Sequence, residues 1–203
     1  MSQVAQNISP SYFFPCNGKA FFFYSDGVSA GGYEPWVSDG TSAGTYMIKD
    51  INPGGSNSVI GNGTQNCTCY NNKIYFAADN GTNGSELWVS DGTNAGTQMV
   101  KEIKTGSAGA AIGGMVSYKN ELYFTAKSGN YSELWHTDGT TAGTVKVTSP
   151  SGLLGYNSDV VVHDTLLFFT GRDSGPGDYG IWKTNGTTLG TAIITGSLPS
   201  TPL

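Results

Sequence analysis

Cationic side chains, histidine and cysteine are scarce in this chain, and its apolar runs are short. Its 203 residues carry ten Lys plus Arg against fifteen Asp plus Glu, a net charge of −5. Nucleic acid and anionic membrane surfaces both call for clustered cations, so neither is expected as a partner. No stretch approaches the roughly 20 apolar residues of a spanning helix, so membrane insertion is not expected. The three cysteines, Cys16, Cys67 and Cys69, are too few and of the wrong parity for a disulfide framework. Without paired histidines they also make a poor zinc site. One disulfide from Cys16 to Cys67 or Cys69 stays open beside the alternative of three buried thiols, because these residues fall near the same strand of neighbouring repeats. Only two histidines are present, His136 and His163, and there is no GxSxG elbow, HExxH, Walker loop or dinucleotide fingerprint. These absences argue against an enzyme.

What is abundant is turn-forming and aromatic: thirty glycines, eleven tyrosines and nine phenylalanines, the composition of an all-β chain. One phrase recurs four times, as YEPWVSDGTSAGT, SELWVSDGTNAGT, SELWHTDGTTAGT and YGIWKTNGTTLGT. Its tryptophans, Trp36, Trp88, Trp135 and Trp182, are spaced 52, 47 and 47 residues apart. That period is too long for a coil of a β-helix and fits a four-stranded propeller blade. The third copy reads as strands over 115–118, 121–126, 132–137 and 144–148, joined by three hairpin turns. The second strands, AFFFYSD, KIYFAAD, ELYFTAK and TLLFFTG, are almost continuously apolar, which predicts cover on both faces. Sheets stacked around a ring provide that cover without the polar caps that a linear stack needs.

The expected architecture is a single all-β domain, a β-propeller of four antiparallel blades, with repeats over about 9–51, 58–103, 112–148 and 157–196. Within residues 1–8, Val4 to Ile8 resemble the end of the first repeat and read either as a strand that closes the ring or as the mark of a segment from a longer array. The alternative is half of an eight-bladed ring completed by a second chain, a homo-oligomer.

Within DGTxxGT, the carboxylates of Asp39, Asp91 and Asp138 can accept hydrogen bonds from backbone N–H groups two or three residues on. The fourth copy has Asn185, which makes the same turn without charge, so these positions read as structural. The four tryptophans read as core wedges with each indole N–H satisfied by a neighbouring carbonyl. His136 stands near positions held by Ser38, Ser90 and Lys183 and reads as surface variation.

The loops between second and third strands vary more and are better candidates for a site. Asp26, Asp79, Asn80, Asn83, Asn130, Asp173 and Asp178 supply oxygens there, and Tyr33, Tyr131 and Tyr179 supply flat amphipathic rings. Polar groups beside an aromatic face suit a sugar. The same oxygens suit calcium, although no loop matches the EF-hand pattern, so no cofactor is assigned. A carboxylate pair for glycoside hydrolysis could be drawn from Asp26, Asp79, Asp173, Asp178 or glutamates across the blades, but no spacing selects one.

The phrases SELWVSDGTNAGTQMVKEI and EPWVSDGTSAGTYMIKDI resemble the ELWxxDGT repeat of large secreted and cell-surface bacterial proteins. The resemblance covers roughly residues 10–197 and implies an extracellular or cell-surface propeller-like module. It brings no catalytic residues with it. The functional expectation is therefore a non-enzymatic binding or adhesion module that recognises surface glycans or other surface proteins through repeated loops, with avidity from several weak sites. A structural or protein-interaction subunit of a surface assembly is the alternative, and a glycoside hydrolase ranks last.

Overall fold

A computed structural model describes residues 11–27, 32–59, 67–147, 153–154, 160–172 and 179–194. The protein is all-β and has the fold of a four-bladed β-propeller, each blade an antiparallel meander. The first blade comprises β1 (Ser11–Cys16), β2 (Lys19–Tyr24), β3 (Glu34–Ser38) and β4 (Tyr46–Met47). The second comprises β5 (Cys67–Tyr70), β6 (Lys73–Asp79), β7 (Ser85–Ser90) and β8 (Gln98–Lys101). The third comprises β9 (Gly113–Tyr118), β10 (Glu121–Ala126), β11 (Glu133–Thr137) and β12 (Val145–Lys146). In the fourth, β14 (Val160–His163), β15 (Leu166–Arg172), β16 (Tyr179–Thr184) and β17 (Ala192–Ile193) repeat the meander. A two-residue strand, β13 (Leu153–Leu154), adds to the far end of β15. Residues 1–8, the expected closing strand, lie outside the described residues.

The chain divides into two compact units, residues 1–110 with the first two blades and 111–203 with the last two. The first-to-second hairpins carry left-handed residue pairs, Asn17-Gly18, Asn71-Asn72 and Lys119-Asn120. Two consecutive positive φ values are what a two-residue hairpin needs to match the twist of its strands. Every residue from Ile74 to Ala78 and from Leu122 to Ala126 is buried, which accounts for the unbroken apolar run of the second strands. The fourth blade departs from this: along β15 burial alternates, with Leu167, Phe169 and Gly171 buried and Thr170 exposed.

Each unit has its own apolar cluster. In the first, Phe23 of β2 meets Phe76 of β6 with ring centroids 5.5 Å apart, among Val37, Ile74 and Trp88. In the second, Leu134, Val160, Leu167, Phe169 and Trp182 pack together. Burying each such large apolar side chain contributes about 1.5–3 kcal/mol. A disulfide joins Cys16 at the end of β1 to Cys69 in β5, so the first strands of two successive blades are cross-linked. Cys67 stays a thiol, and burial pushes its pKa up from the ordinary value.

Candidate functional site

The repeated phrase builds the same turn four times. In the first blade, Asp39 Oδ1 accepts the N–H of Thr41 at 2.9 Å and its hydroxyl at 2.7 Å. Thr41 Oγ1 in turn accepts the Gly44 N–H at 2.9 Å, and Thr45 Oγ1 donates to the Thr41 carbonyl at 2.6 Å. Asp91 and Asp138 repeat this arrangement with near-identical distances. Asn185 keeps it too, accepting from Thr187 N–H at 3.0 Å and Thr187 hydroxyl at 2.7 Å. Hydrogen bonds from the threonines hold the three aspartates below the usual carboxylate range. The first glycine of each turn has φ between +90° and +98°. At the second, a Cβ would come within 2.0–2.1 Å of the aspartate carboxylate in the first three turns. Both positions therefore require glycine.

The tryptophans also belong to the scaffold. Each pairs across the sheet with a second-strand aromatic: Trp36 with Phe22, Trp88 with Phe76, Trp135 with Phe124 and Trp182 with Phe169. One expectation about them is corrected: the buried indole N–H groups of Trp36, Trp88 and Trp182 have no hydrogen-bond partner. Aromatic packing holds the rings, and Lys49 Nζ lies over that of Trp88, 6.0 Å from its centroid.

The variable loops are less open than the sequence implied. In the second blade, Asp79 Oδ1 accepts the Gly81 N–H at 2.7 Å, and Asn80 Oδ1 accepts those of Thr82 and Asn83 at 3.0 and 2.9 Å. Asn80 Nδ2 donates to Asn83 Oδ1 at 2.9 Å, and Asn83 Nδ2 to Glu102 Oε1 at 2.8 Å. These three side chains come together in a network that shapes their own loop. Asp26 and Tyr33 are half-buried in the first blade, where the backbone of Tyr33 is tied to Asn57 and Ser58. In the third blade, Asn130 is exposed and Tyr131 is 49% exposed. Asp173, Asp178 and the Tyr179 side chain lie outside the described residues.

Two sets of carboxylates drew no attention in the sequence. Glu34 and Glu86, two residues before their tryptophans, are fully buried. Each accepts an N–H from the segment after the fourth strand, Ile51 at 2.9 Å and Ile103 at 2.8 Å. The glutamate of ELW, present in three of the four copies in that position, was the available signal.

The second set surrounds His136. Strand register aligns this residue with Val37, Val89 and Lys183, opposite Phe21, Tyr75 and Phe168, and not with Ser38 and Ser90. Val37 and Val89 are core residues, so surface variation is the wrong description of His136. Its Nδ1 is buried and stands 3.0 Å from Glu121 Oε2, an ion-pair distance without hydrogen-bond geometry. The hydroxyl of Tyr123 donates to the same oxygen at 3.2 Å, and its ring stacks on the imidazole with centroids 5.4 Å apart. Burial, followed by the Glu121 charge, pushes the Tyr123 phenol above its ordinary pKa, so it remains a donor. The side chains of His136 and Glu121 keep 21% and 34% of their surface accessible. Where the first two blades carry a lysine and a valine, Lys19 with Val37 and Lys73 with Val89, the third carries an acid–base pair.

No protein-family model matches the chain, and no match is found among curated proteins. Among solved structures, it is similar to puromycin hydrolase with a TM-score of 0.61 at 11% identity, over 93% of this chain and 29% of that one. A prolyl endopeptidase is matched at 0.54 and 12% identity, over 89% of this chain and 25% of that one. A family 117 glycoside hydrolase from the marine bacterium Zobellia galactanivorans is matched at 0.48 and 13% identity, over 94% of this chain and 69% of that one. The chain thus spans less than a third of the two structures with the higher scores. At these identities the shared feature is the propeller fold. The expectation of a non-enzymatic carbohydrate-binding or adhesion module is corrected on this finding: the structures matched with the higher scores are hydrolases.

Proposed function

We propose that this chain is the propeller of a hydrolase, and that its own acid–base chemistry lies in the third blade at Glu121 and His136. The observation that carries the reading is the placement of that pair: an imidazole and a carboxylate 3.0 Å apart occupy positions that two other blades fill with valine and lysine. The similarity in fold to puromycin hydrolase and to a prolyl endopeptidase supports it. Glu121 Oε2 lies beside Nδ1, and Nε2 is the ring nitrogen away from the carboxylate. Tyr123, donating to the same carboxylate, keeps it from swinging away from the ring. An imidazole so oriented can take a proton from water as that water attacks a carbonyl or anomeric carbon.

The test is a panel of nitrophenyl esters, prolyl nitroanilides and nitrophenyl glycosides, assayed with the chain and two variants. His136→Ala is expected to lower turnover of the responding class about 100-fold or more, and Glu121→Gln by less. Tyr131→Ala, at an exposed loop, keeps the rate. No turnover in any of the three classes, or turnover indifferent to His136, would overturn the proposal. We further propose membership of the ELWxxDGT repeat group and an extracellular or cell-surface location. The Cys16–Cys69 disulfide supports that location, since such bonds persist in oxidising compartments.

A further inference from the structure

We infer that the loop end of the first blade binds a divalent cation of the calcium type between the carboxylates of Glu34 and Asp50. This site is separate from the Glu121–His136 pair and does not depend on the hydrolase reading. Glu34 has no exposed surface, and its Oε2 accepts the Ile51 N–H at 2.9 Å. Its Oε1 has no hydrogen-bond partner, and neither has the buried Oδ1 of Asp50, whose negative charge acts on Glu34. Ser58 sets its N–H and hydroxyl close enough to Glu34 to lower its pKa, while both bond the Tyr33 carbonyl at 3.1 and 3.0 Å. Lys49, next to Asp50 in sequence, sends its ammonium to the Thr97 carbonyl at 2.8 Å.

The second blade is an internal control. Repeat alignment places Glu86, Glu102, Ile103 and Lys104 where the first blade has Glu34, Asp50, Ile51 and Asn52. There both oxygens of the buried glutamate are satisfied, Oε2 by Ile103 N–H at 2.8 Å and Oε1 by Lys104 N–H at 3.1 Å. Glu102 Oε1 accepts from Asn83 Nδ2 at 2.8 Å and from Gly106 N–H at 3.3 Å, and the Lys104 charge favours the anion on Glu86. The first blade has Asn52 in place of the lysine, and Ser58 rather than a second N–H of that segment lies against its glutamate. What remains is two acids with a bare buried oxygen each, a strongly unfavourable arrangement unless a cation or a proton joins them. An all-oxygen anionic donor set selects a hard cation over zinc or copper. No three His, Cys, Asp or Glu side chains converge among the described residues, so backbone carbonyls and water would complete the shell. Calcium, with its large and flexible shell, accepts that mixture more readily than magnesium.

Thermal unfolding of the full chain, stripped with a chelator and then given calcium chloride or magnesium chloride, tests this. At about ten times the dissociation constant, calcium is expected to raise Tm by about 3–6 °C, and magnesium to do less. Asp50→Asn and Glu34→Gln each remove the rise, while Glu102→Gln, at the aligned place in the second blade, keeps it. Asp50 is half-buried, so Asp50→Asn still reports if Glu34→Gln fails to fold. A Tm indifferent to calcium, or a rise that survives Asp50→Asn, overturns the inference. Asp50→Asn shifting only the pH response of Tm does so as well, because the two acids then share a proton.

Discussion

At the scale of the residue, the DGT turn shows why a motif can recur without being a site. Its aspartate is recruited as a hydrogen-bond acceptor for one threonine, and Asn185 does the same job at matching distances. Charge is therefore incidental to geometry, yet it leaves a titration signature. Asp39, Asp91 and Asp138 have folded-state pKa values below the ordinary aspartate value, chiefly through Thr41, Thr93 and Thr140. A carboxyl depressed on folding contributes stability that is present above its unfolded pKa and lost as pH falls through the folded one. The triple variant Asp39→Asn, Asp91→Asn, Asp138→Asn is thus expected to fold normally at neutral pH and to lose stability less steeply below about pH 4. Circular dichroism melts between neutral pH and strong acid check this. An acid profile as steep as the parent's would mean that other carboxylates govern it. The turn was legible in the sequence because its four copies differ by one charge and keep every donor and acceptor. Glu121 and His136 were not, because nothing in the order of residues says that His136 falls on the valine register and faces Glu121 across a strand pair.

At the scale of the element, the buried glutamates before Trp36 and Trp88 work as clamps on the chain after the outer strand. Glu86 binds Ile103 and Lys104, seventeen and eighteen residues on, and so returns the segment after β8 to the start of β7. Burial, the largest influence, pushes its pKa up to about 7 from 4.5, against the opposing pull of those two N–H groups. For an acid raised on folding, the folded state binds the extra proton, so stability is fully present below the unfolded pKa and declines as pH rises toward the folded one. The expected window is about pH 4.5 to 7. Urea unfolding at either end of it is expected to give a lower midpoint at the higher pH, and Glu86→Gln to flatten the difference. Equal midpoints in the parent would show that the two N–H bonds outweigh the burial. The same element-level view applies to the second-to-third-strand loop of the second blade. Amide and carboxylate side chains in a tight loop sit within reach of their own backbone, and Asp79, Asn80 and Asn83 bond there first. Sequence reports that such groups exist but not that the loop has already engaged them.

At the scale of the whole molecule, the four-bladed propeller was readable because its determinants repeat: a two-faced apolar second strand, a wedge tryptophan and a glycine-dependent turn, each at a period of 47 to 52 residues. Repetition averages out local ambiguity. The disulfide is the opposite kind of feature, occurring once, and the alignment of Cys16 with the first strand of the next repeat narrowed it to two partners. The structure selects Cys69, 53 residues away. Cys67 is two positions along the same strand, packed against the core cluster of that unit, and its thiol is kept protonated by burial. Because exchange proceeds through a thiolate, that neighbour is held inert and the Cys16–Cys69 link is expected to persist without scrambling. Closing a loop of this length restricts the unfolded chain and contributes about 4 kcal/mol in the chain-entropy account. The paired variant Cys16→Ser, Cys69→Ser is accordingly expected to lower unfolding free energy by about 2–4 kcal/mol while leaving the sheet content of both units intact. Denaturant unfolding followed by tryptophan fluorescence measures the first, and far-ultraviolet circular dichroism the second. A loss well under 1 kcal/mol would mean that Phe23, Phe76 and their neighbours already hold the two blades together in the unfolded ensemble, so that the cross-link restrains little that the core does not.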